Sequence, residues 1–154
     1  GRYVSLKERG LGFDTQVSEG REAYQVRESE LIYTYSRAQA LADGVLVDVS
    51  SMAQEAGFRY PVAISADLHA ALTPNARELS WGQSYDGRLW DVLFLASLAA
   101  RRTIWDRQAA FEVSQAVCPA NRGRLRRRTL HLWIVIGPGD AGKPVVTIGF
   151  PEDF

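Results

Sequence analysis

The stretch DGRLWDVLFLASLAARR, residues 86–102, constrains the fold of this chain more than any other segment. Its apolar side chains nearly encircle a helix instead of forming one stripe, and Asp86 stands where a capping residue is expected. A helix that is apolar all round is normally buried, because every exposed face would leave hydrocarbon in water. We therefore expect a buried central helix over residues 86–102, with the rest of the chain packed around it.

Three alternating segments follow this helix, and each has the two-residue period of a half-buried strand. They are AFEVSQAV at 110–117, TLHLWIVI at 129–136 and PVVTIGF at 144–150. The last two flank a loop of glycine, proline and aspartate, which predicts a C-terminal β-hairpin. Because the late strands follow a helical first half, we expect a single α+β domain over residues 29–154 with an antiparallel sheet. Residues 1–28 contain Gly10, Gly12 and Gly20 and no sustained period, so we expect an N-terminal arm there.

Strand-like and helix-like pieces alternate between residues 31 and 74. LIYTY and VLVDV have the β-branched and aromatic profile of strands, whereas YPVAIS contains Pro61 and is expected at a sheet edge. A serine suited to capping precedes each of three helix-like pieces: Ser36, then Ser50 or Ser51, then Ser65. The polar residues 75–88 predict a turn-rich loop that leads into the central helix.

The hairpin loop contains most of a phosphate-binding motif, with Gly137 followed after four residues by Gly142 and Lys143. A phosphate loop needs a serine or threonine after the lysine, and a helix whose first N–H groups face the phosphates. Here Pro144 follows Lys143 and supplies neither a hydroxyl nor a backbone donor, and a strand-like segment comes next. We therefore predict a hairpin turn and no nucleotide site.

The other candidate catalytic or metal-binding residues form no recognisable constellation. His69 has no acidic residue or second histidine at metal-ligand spacing, and His131 lies on a strand, so structural or surface roles are favoured. Asp43 and Asp48 bracket GVLV, but no nucleophile or base accompanies them. Cys118 has no activating neighbour in sequence and is interpreted as an ordinary thiol. The sequence therefore favours a non-enzymatic protein with no metal and no other cofactor.

Charge is segregated along the chain, although eighteen basic residues balance eighteen acidic ones overall. Residues 101–128 hold eight basic and two acidic residues, a net charge of +6. Five of the basic residues form one cluster: Arg122, Arg124, Arg126, Arg127 and Arg128. Such a cluster fits a nucleic-acid backbone or an acidic protein surface, and it also fits a solvated loop between two strands. Trp81 lies in a polar segment, which suggests a binding surface.

Two observations concern the environment of the protein. Its single cysteine, Cys118, excludes an internal disulfide and fits a reducing cytoplasm. The longest apolar stretch, LWDVLFLASLAA, carries Asp91 and is too short to span a bilayer. We therefore expect a cytoplasmic protein that does not contact the membrane.

Four motifs taken together resemble one known family. They are YTYSRAQALADGVLVDVS, AQEAGFRYPVAIS, DGRLWDVLFLASLAARR and GPGDAGKPVVTIGFPED. Over residues 31–154 the chain is similar to an uncharacterised family of bacterial proteins, carried on plasmids, phages and other mobile elements and known only as a domain of unknown function. The resemblance implies a cytoplasmic, non-essential accessory protein of mobile DNA, and it assigns no catalytic residues.

These observations favour a non-enzymatic accessory or binding protein of a mobile element, an interaction or inhibitor module that acts on a host protein. The alternative is weak, sequence-independent nucleic-acid binding through the arginines between residues 122 and 128. A second alternative is an enzyme whose constellation the sequence does not display. An interaction module is expected to have an exposed apolar patch near Trp81 or the hairpin, whereas an enzyme is expected to have a pocket with perturbed titrating groups.

Overall fold

The computed structural model describes residues 36–102 and 107–154. The helices are α1 (Arg37–Ala42), α2 (Ser50–Glu55), α3 (Ala66–Leu72), α4 (Ala76–Ser80) and α5 (Tyr85–Arg101). The strands are β1 (Leu46–Asp48), β2 (Val62–Ser65), β3 (Gln108–Val117), β4 (Arg126–Pro138) and β5 (Pro144–Gly149), and a 3₁₀ turn (Pro151–Asp153) follows β5. The predicted arm over residues 1–28 and the predicted strand LIYTY lie outside the described residues. No helix within the described ranges has the length and apolar character needed to cross a membrane.

The five strands form one sheet in the order β1-β2-β5-β4-β3. Three of the neighbouring pairs are antiparallel, and β4 and β5 form the predicted hairpin. β2 and β5 run parallel, with Ala63 opposite Thr147, because the chain passes through three helices and two strands before it returns beside β2. The prediction of a single α+β domain with a C-terminal hairpin on a central helix is confirmed, but the sheet that was expected to be antiparallel contains one parallel pair, β2 and β5.

One face of α5 packs on the sheet and forms the centre of the core. Leu93 and Ala96 are fully buried in the same cluster as Leu132 of β4. The opposite face is open: Trp90 is 39% exposed and Phe94 is 48% exposed. The helix is central, as predicted, but its apolar side chains are buried on one side only, because the sheet covers one side of it.

A small second cluster lies on the other face of the sheet, where α1 covers β1 and β2. Ala40, Leu46 and Ala63 form this cluster, so that β2 is buried on both faces. β2 is therefore an interior strand, and the prediction of an edge strand at YPVAIS is wrong. Pro61 precedes the first residue of the strand, and its carbonyl accepts the Val146 N–H, so its missing donor removes no hydrogen bond from the ladder.

Two of the three predicted serine caps are confirmed. Ser36 caps α1 within a capping box, and Ser65 caps α3. Neither Ser50 nor Ser51 caps α2, which begins at Ser50 without a side-chain cap. The Ser50 hydroxyl instead accepts the Val62 N–H at 3.0 Å and so joins the start of α2 to β2. Ser50 therefore forms a tertiary hydrogen bond to β2 where a local capping bond to α2 was expected.

The segment 75–88 contains a helix that its polar composition concealed. Asn75 and Glu78 form a capping box at the start of α4, so the expectation of a turn-rich loop is wrong. The cap of α5 is also displaced from the predicted Asp86, because the Ser84 hydroxyl accepts the Gly87 N–H in the first turn of the helix. Both differences arise from side chains that satisfy N–H groups of a first helical turn.

The turn of the C-terminal hairpin closes on itself and also caps a helix. The Gly139 N–H donates to the Lys143 carbonyl at 2.7 Å. The Asp140 carboxylate accepts the N–H groups of Arg37 and Ala38 at 2.9 and 3.0 Å, and these bonds lower the pKa of Asp140. The segment that resembled a phosphate loop therefore carries its own anion, and it places that anion at the start of α1.

Candidate nucleic-acid interface

The turn between β3 and β4, residues 118–125, is held in a defined conformation. Asn121 adopts a positive φ of 56°, and its N–H donates to the Cys118 carbonyl at 2.8 Å. The Asn121 side-chain oxygen accepts the Arg77 N–H at 2.9 Å, and the Arg77 Nε donates to the Gly123 carbonyl at 2.9 Å. α4 therefore anchors the turn, and the exposed side chains of the turn start from a preorganised backbone.

All five predicted arginines are exposed, but they do not lie on one loop. Arg122 and Arg124 belong to the turn. Arg126, Arg127 and Arg128 begin β4, where they pair with the last three residues of β3. The interpretation of the cluster as a loop between two strands fails for its last three residues, because the ladder extends three residues beyond the apolar alternation. Strand geometry sends Arg127 to one face of the sheet and its two neighbours to the other.

α4 brings Trp81 to the same end of the molecule. The Arg77 guanidinium carbon lies 5.4 Å from the centroid of the Trp81 ring, and the tryptophan is 55% exposed. Since Arg77 also holds the turn, one side chain joins the two features that the sequence singled out separately. We use the name Arg–Trp surface for the following residues: Arg77, Trp81, Arg122, Arg124, Arg126, Arg127 and Arg128.

A buried ion pair fixes α4 against α5 and β3 behind this surface. Arg88 of α5 lies 3.1 Å from Glu78 of α4, and it also donates to the Ala116 carbonyl at 2.6 Å. The Glu78 carboxylate accepts the N–H groups of Cys118 and Asn75. Burial acts to raise the pKa of Glu78, but the two N–H groups and Arg88 outweigh it and lower the pKa below its usual value. Glu78 therefore stays ionised, and the pair is a structural clamp.

A cleft of about 680 Å³ opens between the start of α5 and the adjoining ends of β3 and β4. Side chains from these three elements line it, among them Trp90, Asp91, Ser114, Gln115, Arg126 and Arg127. The Arg127 Nη1 donates to the Ser114 Oγ at 2.8 Å. Within residues 36–102 and 107–154 neither of the two lining arginines of β4 forms an ion pair. The cleft thus continues the Arg–Trp surface toward an aromatic side chain of α5.

Sequence reasoning did not find four residues of this region, namely Arg77, Glu78, Arg88 and Trp90. The Asn-x-x-Glu spacing that starts α4 was a readable signal for Glu78. The sequence carries no comparable signal for the other three, because their roles depend on which elements meet in the tertiary structure.

The histidines and the cysteine have local structural contacts. His69 Nδ1 lies 2.8 Å from the Tyr85 hydroxyl where α3 meets α5. His131 lies 3.1 Å from Glu112 on the exposed face of β4 and β3. The Cys118 thiol is buried and donates to a carbonyl of the turn. Among the residues that the structure describes, no three His, Cys, Asp or Glu side chains converge as metal ligands would.

The two aspartates that bracket GVLV have different surroundings. Asp43 stands at the C-terminal cap of α1. Asp48 ends β1, and its carboxylate accepts the Ser50 hydroxyl at 2.7 Å. These positions agree with the interpretation of one helix-terminal and one strand-end aspartate.

The sequence profile of a family of unknown function, DUF6573, matches residues 24–154. The chain belongs to the DUF6573 family. The resemblance to an uncharacterised family is thereby confirmed, and the match contains every residue of the Arg–Trp surface and of the cleft. No curated protein has significant similarity to this DUF6573 member. A search of solved structures likewise returns no significant match.

Proposed function

We propose that this DUF6573 protein is a non-enzymatic binding protein that contacts nucleic acid through the Arg–Trp surface. The observation that carries the proposal is the convergence of six arginines and an exposed tryptophan at one end of the fold. Guanidinium groups contact phosphates, and an indole ring stacks on bases, so the two side chains together suit a nucleic-acid strand.

The rigid attachment of the turn supports the proposal. Arg122 and Arg124 extend from a backbone that Asn121 and Arg77 hold by hydrogen bonds. A preorganised surface loses less conformational entropy when it binds than a mobile loop does. Clustered arginines repel one another, and phosphate contacts remove that repulsion.

The contact is proposed to be independent of sequence. The helix that meets the arginine turn, α4, has only five residues, Ala76–Ser80, which is too short to enter a major groove as a recognition helix. Phosphate contacts position a protein on nucleic acid but carry no sequence information. We therefore propose charge-driven binding with little base readout.

We also propose that the protein is a cytoplasmic accessory protein of a mobile genetic element, as the sequence resemblance implies. A survey of the genes for DUF6573 proteins tests this part. We expect the genes on plasmids, phages and other mobile DNA. A distribution confined to conserved chromosomal positions would contradict the accessory role without affecting the binding proposal.

A fluorescence-anisotropy titration tests the binding proposal, with single-stranded and duplex oligonucleotides of about 12 nucleotides at about 50 mM salt. We expect the triple variant Arg124→Ala, Arg126→Ala, Arg127→Ala to weaken binding by on the order of tenfold or more, uniformly across sequences. The matched control replaces three exposed arginines elsewhere, Arg59→Ala, Arg101→Ala and Arg102→Ala, and changes the net charge equally.

The control separates a localised surface from general charge. An equal loss of affinity in both triple variants would contradict the assignment to the Arg–Trp surface. Absence of any wild-type binding to either form of nucleic acid would reject the proposal.

A protein partner with an acidic surface is the second candidate, and one observation favours it. Leu79 is 55% exposed within α4, two residues from Trp81. An exposed leucine contributes nothing to phosphate contact, whereas it is a normal element of a protein interface. This candidate would be established instead if the protein did not bind nucleic acid but captured one partner from its host. Both Leu79→Ser and the Arg124, Arg126, Arg127 triple variant should then lose that capture.

A further inference from the structure

We infer that the cleft between α5 and the ends of β3 and β4 binds a single nucleic-acid strand, with one base stacked on Trp90 and its phosphates on Arg126 and Arg127. This inference rests on the proposed function and deepens it. The proposed function concerns the attraction between arginines and phosphates. The inference adds that the bound nucleic acid is single-stranded and that Trp90 distinguishes it from a duplex.

Trp90 is the aromatic wall of the cleft. Its α5 neighbours Leu89 and Val92 point into the core, whereas Trp90 lines the cleft and remains open to solvent. Exposed indole rings stack on any base, because every base has a π-face. In a duplex the bases are stacked on each other, so a base can reach Trp90 only when it belongs to a single strand or has been extruded.

Arg126 and Arg127 line the cleft from the start of β4, although their side chains leave the strand on opposite faces of the sheet. A guanidinium group has five N–H donors. Arg127 uses one of them in its hydrogen bond to the Ser114 hydroxyl. Arg88 also lines the cleft, but Glu78 neutralises it, so the unbalanced positive charge comes from the two β4 arginines. The volume of the cleft lies within the usual range of small-ligand sites, which is enough for a nucleotide segment of a strand.

Asp91 also lines the cleft from α5, and its carboxylate would repel phosphate and accept amino groups of bases. Gln115 lines the same cleft, and its Oε1 is buried without a partner among the described residues. The cleft therefore offers acceptors from Asp91 of α5 and Gln115 of β3, and donors from the two β4 arginines.

The experiment compares three variants of α5 in the anisotropy titration, with an unstructured single strand and with a duplex of the same length. We expect Trp90→Ala to weaken single-strand binding by on the order of tenfold, and Trp90→Phe to retain most of it, because a phenyl ring also stacks. Duplex binding should change less than about twofold in both, since it depends on phosphate contacts. Phe94→Ala is the matched control: Phe94 is an exposed aromatic residue one turn further along α5 that does not line the cleft.

A photocrosslinking experiment uses wild-type protein, so its result does not depend on whether a variant folds. A strand that carries 5-iododeoxyuridine should crosslink to wild-type protein at Trp90, as located by mass spectrometry of the digested complex. Crosslinks confined to Trp81 would overturn the inference. So would a Trp90→Ala variant that keeps wild-type single-strand affinity while the arginine triple variant loses it, and that result would leave the proposed function intact. Failure of wild-type protein to bind either nucleic acid would remove both.

Discussion

At the residue scale, the buried ion pair between Arg88 and Glu78 joins α4 to α5. Arg88→Leu would leave the Glu78 carboxylate buried without its cation, and we expect a loss of about 3–5 kcal/mol in the free energy of unfolding. Urea titration at neutral pH measures it. The control is Glu112→Gln, which removes the exposed contact with His131 and should cost less than about 1 kcal/mol. Similar losses in the two variants would contradict the clamp.

The same pair makes stability depend on pH in a defined direction. The pKa of Glu78 is lowered in the folded protein, so the stabilisation is present above the pKa of the unfolded chain, about 4.3 for a glutamate. It is lost as the pH falls through the lower folded pKa. The N–H groups of Cys118 and Asn75 lower this pKa more than Arg88 does, so the Arg88→Leu variant should lose only the part of the acid sensitivity that Arg88 contributes.

Asp153 has the opposite pH dependence. Burial raises its pKa, and the neighbouring Asp67 carboxylate adds to the rise, although hydrogen bonds from Ser65 and Phe150 act against it. A raised folded pKa means stabilisation that is full below the unfolded pKa, about 3.9, and lost as the pH rises through the folded pKa. Asp153→Asn should therefore be at least as stable as wild type at pH 7, with a smaller difference near pH 4. Thermal unfolding at both pH values measures this, and a variant more than about 1 kcal/mol less stable at pH 7 would disprove it.

At the scale of elements, the buried and exposed faces of α5 predict different losses of stability on truncation. Leu93 is fully buried, so Leu93→Ala should cost about 2–5 kcal/mol. Phe94 follows it directly in sequence but lies on the open face, so Phe94→Ala should cost less than about 1 kcal/mol. Denaturant titration of both variants gives the comparison. A loss for Phe94→Ala as large as that for Leu93→Ala would mean that another surface covers the outer face of α5.

The C-terminal hairpin illustrates how far an element can be predicted from its own residues. Pro144 and the strand-like segment after it ruled out a phosphate loop, and the hairpin is present. The partner of its turn could not be predicted in the same way. Asp140 caps α1, which lies about one hundred residues earlier in the chain, and a capping contact of that separation leaves no periodic or compositional trace.

At the scale of the whole molecule, the separation of charge determines how binding should respond to salt. The chain is neutral overall, whereas residues 101–128 carry a net charge of +6. If the six arginines of the Arg–Trp surface contact phosphates of a single strand, the slope of log K against log salt should approach about −4. The Arg124, Arg126, Arg127 triple variant should flatten it by about 2, and the Arg59, Arg101, Arg102 variant should not. A wild-type slope near zero would contradict phosphate contact.

The amino-acid sequence by itself determined the features that depend on residues a few positions apart. Ser36 and Ser65 cap helices because a serine hydroxyl reaches N–H groups within the next turn. The alternation in β3, β4 and β5 identified three strands and the hairpin, because side chains on a strand face opposite sides in turn. The arginine cluster and Trp81 were equally visible, since composition alone marks them.

Only the tertiary structure decided the features that depend on which elements meet. It placed β2 inside the sheet, left Trp90 and Phe94 open on an apolar helix, and joined Arg77 to both Trp81 and the arginine turn. It also paired Arg88 with Glu78 out of water. The physical reason is that burial and pairing are properties of two surfaces in contact, and a residue's own neighbours in sequence do not specify the second surface.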